Sequence, residues 1–78
     1  MEKITIYIVT IEWQCWNSFA KSIPFRTKEA AVECALKWAA DFEDERGDCV
    51  KKVEDNGCHV NVYDDDYYMV ADVNEFNL

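Results

Sequence analysis

The sequence predicts an α+β domain of order ββαβββ, an antiparallel sheet with one helix packed on one face. Three observations predict it. Hydrophobic residues alternate with period two in both halves of the chain; they switch once to helical spacing, between residues 27 and 46; and turn residues punctuate the alternation at Asn56-Gly57 and Asp64-Asp65-Asp66. The 78 residues are expected to form a single domain over 1-78, near the lower size at which a chain buries enough surface to fold unaided. Half of them are hydrophobic, aromatic residues are plentiful, and only two Gly and one Pro occur, which leaves little room for linkers.

The first strand is expected over Lys3 to Gln14, with Ile4, Ile6 and Ile8 on one face and Tyr7, Val9, Ile11 and Trp13 on the other. Cys15-Trp16-Asn17-Ser18 reads as a turn, and Phe19 to Phe25 as a return strand whose Pro24 confines it to an edge or an exit. Thr27 is a good helix N-cap, with Glu29 in the first turn where the helix dipole favours an acid. Ala31, Cys34, Ala35, Trp38 and Phe42 then fall on one stripe, flanked by Val32 and Ala39, and Gly47 supplies the stop. Beyond it, Cys49 to Asp55 is a short strand, and Asn56-Gly57 is a strong hairpin signal. Cys58, Val60 and Val62 alternate with His59, Asn61 and Tyr63; the Asp run turns the chain, and Tyr67 to Val73 is the last strand.

Sixteen acidic against eight basic residues give a net charge of −8. Each phosphate contact of a nucleic-acid binder wants a Lys or Arg, so this balance argues against direct binding to DNA, RNA or anionic membranes. A protein partner with a basic surface is the better electrostatic match; the alternative is that the charge serves solubility. No stretch is apolar and long enough to span a bilayer and no secretory signal is visible, so the expected location is cytoplasmic.

The chemistry-bearing residues are few. Cys15, Cys34, Cys49 and Cys58 lack the paired short spacing of a structural zinc site, and free buried thiols explain them better than disulfides. His59 is the one histidine. Its neighbour Cys58 points to the opposite face of a strand, so the two cannot act as nucleophile and base. There is no phosphate loop, nucleophile elbow or zinc-protease motif. No cofactor, no metal and no catalytic activity are expected.

Two features remain. Asp41, Asp44, Glu45 and Asp48 stand at i, i+3, i+4 and i+7 and would form one outward row at a helix C-terminus, where acids cost a few tenths of a kcal/mol each. With Asp64, Asp65 and Asp66 they are candidate partner-binding residues, unless they are only a solvated face. The second feature is the doubly apolar first strand. If Ile4, Ile6 and Ile8 meet the helix, then Tyr7, Ile11 and Trp13 form an exposed interface on the other face.

A compact, fully folded chain with Thr27-Lys28-Glu29-Ala30-Ala31 opening a single Trp-bearing helix, Ala35-Leu36-Lys37-Trp38-Ala39-Ala40, and with clustered acids resembles the small acidic proteins that bacteriophages use against their hosts, anti-CRISPR proteins among them. The resemblance covers the chain in style, matches no specific family motif and carries over no site residues. It implies a stoichiometric inhibitor that blocks a CRISPR effector or another nucleic-acid-binding machine, in some cases as a DNA mimic. The alternative is a homo-oligomeric accessory or regulatory domain, a homodimer for example, that uses its apolar sheet face on itself.

Overall fold

The computed structural model describes residues 3–78 and has the predicted order. Strands β1 (Thr5–Cys15) and β2 (Asn17–Phe25) precede helix α1 (Lys28–Arg46), and β3 (Val50–Glu54), β4 (His59–Tyr63) and β5 (Tyr68–Asn77) follow it. All pairings are antiparallel and the sheet order is β2-β1-β5-β4-β3. The helix lies on one face of this sheet and the other face is open, in an elongated body of 49 × 23 × 14 Å.

Local chemistry accounts for the helix boundaries. Thr27 is extended at the N-cap and its hydroxyl accepts from the Ala30 amide at 3.2 Å. At the other end Gly47 takes φ +83°, and its amide closes the last turn on Glu43. The buried stripe is Ala31, Ala35, Ala39 and Phe42, with Cys34 and Trp38 half-buried beside it. Three alanines let the helix approach the sheet closely, so the volume between the layers is filled by large side chains from below. Val9, Ile11, Trp13, Val60, Val62 and Met69 are all buried there.

Trp13 is the hub. Its ring stacks on Phe19 at 5.9 Å and meets Trp38 and Phe42 edge-on at 5.7 and 5.4 Å, an arrangement that adds to the area term of burial. The register decides which face of β1 this is. Val9, Ile11 and Trp13 stand opposite Val73, Ala71 and Met69, which continue into Val60 and Val62 of β4.

The face expected to be exposed is thus the buried one: Ile11 and Trp13 lie under the helix, and Tyr7 is half-buried against the same core. Ile4, Ile6 and Ile8 face the open side. The cause is in the neighbouring strand. Ile8 and Thr10 share their face with Asn74 and Asp72 of β5, which could not be buried without partners.

The turns also differ in detail from expectation. β1 and β2 are separated by Trp16 alone, because Cys15 already pairs with Asn17. The β3–β4 connection is a 3-10 turn, Asp55–Gly57, in which all three residues have positive φ. Gly57 packs so tightly that a β-carbon there would lie 2.5 Å from Val32. β5 runs on to Asn77 because Asn74–Asn77 pair with the start of β1. Pro24 does lie in an edge strand.

Candidate functional site

Three chain segments meet at one pole of the molecule: the β1–β2 tip at Trp16, the C-terminal end of α1, and the turn between β4 and β5. Arg46 ties them together. Its Nε donates to Asp64 at 2.5 Å and its Nη2 lies 3.6 Å from Asp66. Its guanidinium sits over the rings of Tyr67, 4.5 Å from the centroid, and Trp16, 5.5 Å away. The two rings are themselves 5.5 Å apart. A cation held between two aromatic faces and two carboxylates is a strong local clamp, because charge, quadrupole and hydrogen bonds act on one planar group.

The three aspartates of the turn play different parts. Asp64 is structural: besides Arg46, it accepts the backbone amides of Asp66 and Tyr67 at 2.9 and 2.8 Å, so its side chain builds the turn. The Arg46 hydrogen bond, then those two amides, hold its carboxyl down at about 2. Asp65 and Asp66 are exposed. Asp48 shares a cavity of about 260 Å³ with Asp64 and Asp65, lined also by Cys49, Val50 and Tyr63.

The expected four-membered acidic row does not persist as a row. Asp41, Asp44 and Glu45 are exposed on the helix, but Gly47 turns the chain before Asp48 and delivers it to the Asp64–Asp66 turn. One member of the row is thereby joined to the acidic turn, which the sequence places far from it. The negative end of the helix dipole points the same way, and Arg46 is the basic residue in the last turn.

Sequence reasoning missed the aromatic half of this site. Trp16 is 71 % exposed and its φ is +64°, a left-handed conformation that a bulky residue adopts at a cost of about 1–2 kcal/mol. The signal available was a Trp inside a predicted turn, a position where Gly or Asn would be expected.

The open sheet face carries a second, weaker constellation. His59 Nδ1 shares a hydrogen bond with Asp72 across β4 and β5, and Glu54 stands opposite His59 on β3. The Asp72 hydrogen bond raises the imidazole pKa above its ordinary value. On the register Asp72 lies between His59 and Thr10. Nucleophilic catalysis requires the imidazole in the middle, so this order does not activate the hydroxyl.

At the far end of the same face Ile4, Ile6, Ile8, Pro24 and Phe76 form an apolar group, with Ile6 opposite Phe76 and Ile8 opposite Pro24. Among the described residues no three His, Cys, Asp or Glu side chains are grouped to hold a metal ion, and no helix is long and apolar enough to cross a membrane. Comparison with family models, with curated proteins and with solved structures finds no match.

Proposed function

We propose that the protein works by binding rather than catalysis, presenting its acidic pole to a basic surface on a protein partner. The observation that carries this reading is the meeting of Asp48 with Asp64 and Asp65 in one cavity, next to the clamp in which Arg46 joins Asp64 and Asp66 to an exposed tryptophan. Acids alone could be a solvated face. A large exposed aromatic joined to them supports an interface, since Trp, Tyr and Arg dominate the residues that carry binding energy.

Lys- and Arg-lined surfaces of this kind are concentrated on nucleic-acid-binding machines, where they meet phosphates. Neighbouring acids on the helix are about 5–6 Å apart, comparable to neighbouring phosphates. The function we propose is therefore an inhibitor of the phage anti-defence type, which occludes the nucleic-acid channel of a host defence complex such as a CRISPR effector.

The test is capture from bacterial lysate followed by competition. Captured proteins should be nucleic-acid binders, released by added DNA or RNA and by raised salt. Asp44→Lys combined with Asp48→Lys should lose capture while the fold stays intact, since Lys suits a helix C-terminus better than Asp. A double variant that captures as well as wild type would reduce the acids to a solubilising role.

A second reading has its own observation. The apolar group of Ile4, Ile6, Ile8 and Phe76 on the open sheet face suits self-association into a homodimer. It lies away from the acidic pole, so like charges would be kept apart. Light scattering distinguishes the two, because a tight dimer dispersed by Ile6→Lys would support the second.

A further inference from the structure

We infer that Trp16 is an arginine-reading platform: its exposed ring stacks on a guanidinium supplied by the partner, with the neighbouring carboxylates as counter-charges. The inference rests on the acidic-pole reading and names the chemistry of the group recognised there.

Neither local conformation nor core packing explains a tryptophan at position 16. The backbone at the hairpin tip is left-handed, where glycine carries no steric cost. The ring is 71 % exposed, so little burial offsets that cost. What the ring does within the molecule is take part in holding a guanidinium: Arg46 lies over it and over Tyr67, with Asp64 and Asp66 as carboxylate partners. The pole thus displays in itself the interaction that it would make with a second cation.

The Arg46 that lies over the ring also reaches an acid that keeps most of its exposure. Asp66 is 74 % exposed and only loosely paired at 3.6 Å, and Asp65 is exposed beside it. A flat cation that can both stack and donate hydrogen bonds to carboxylates in its plane fits this setting. A guanidinium does both, whereas an ammonium is compact, strongly hydrated and cannot stack. Arginine is therefore favoured over lysine.

The test uses two peptides of equal length and charge, one with Gly-Arg repeats and one with Gly-Lys repeats, titrated calorimetrically at low salt. Wild type should bind the arginine peptide more tightly, by a factor of about three. Trp16→Gly removes the ring at a backbone position that glycine adopts freely, so folding is retained. That variant should bring the ratio close to one, by weakening arginine-peptide binding more than lysine-peptide binding. An arginine preference that survives Trp16→Gly, or no preference in wild type, overturns the inference and leaves the acidic pole standing. If neither peptide binds wild type, the acidic-pole reading falls together with it.

Discussion

Truncating Phe42 should be close to the limit that this domain can survive. The ring is fully buried, meets Trp13 edge-on at 5.4 Å and stands on the helix's core stripe. Phe42→Ala removes both the burial of the ring and its contacts, and leaves a cavity that three neighbouring alanines cannot fill, a loss of about 3–5 kcal/mol. A chain of 78 residues has in total about 4–12 kcal/mol. Phe19 supplies the control. It stacks on the same Trp13 but is 37 % exposed on the edge strand, so Phe19→Ala leaves no closed cavity and should cost about 1–2 kcal/mol. In urea, with a slope of about 1 kcal/mol per molar, the Phe42 variant should lose about 3 M or more of midpoint and the Phe19 variant about half of that or less. Equal losses in the two variants, with unchanged slopes, would refute the assignment of the helix face.

Three further outcomes follow from particular contacts. Gly57→Ala should lower the melting temperature, because the added methyl meets Val32 at 2.5 Å and φ is +95°; adding Val32→Ala should recover the steric part of the loss and not the backbone part. The His59–Asp72 pair should make stability depend on pH. The Asp72 hydrogen bond holds the folded imidazole pKa above its ordinary value of 6.5, so its contribution is full below about 6.5 and is lost as pH rises through the folded value; the wild-type advantage over Asp72→Asn in thermal melts should shrink on going from acid to alkaline buffer. The four cysteines are free thiols, and burial pushes Cys15 up in pKa. Reductant and chelator should leave the melt unmoved, and Cys15 should be alkylated most slowly in the folded protein.

Much of this architecture was legible because local signals agreed with one another. Thr27, the alanine-rich stripe and Gly47 mark the helix independently. Pro24 marks an edge strand, and Asn56-Gly57 marks a reversal whatever its turn type. The face of β1 was not legible from β1, since both of its faces are apolar. Asp72 and Asn74 on the partner strand decide it, and they bear on β1 only once the register is known. The extension of β5 was hidden for a related reason: Asn74, Glu75 and Asn77 are poor strand formers, held in the sheet by pairing with Thr5–Ile8. Of the candidate site, the acids could be found by counting charges. Trp16, Arg46 and Tyr67 could not, because their meeting depends on three connections arriving at the same end of the sheet.

The sheet order has a consequence for how the chain reaches this state. β1 and β5 are neighbours at the sheet's interior, yet Thr5 and Asn77, joined side chain to side chain, are 72 residues apart. Every element between them must be looped before that ladder can close, and the entropy of closure is lost before any contact compensates. The β1–β2 hairpin and the helix can form early, but until β5 arrives the inner edge of β1 is unpaired and Ile11 and Trp13 are only partly covered. Refolding is therefore expected on the millisecond-to-second scale typical of non-local sheets. The waiting intermediate exposes an apolar strand edge, the feature that recruits chaperones or leads to aggregation at high concentration.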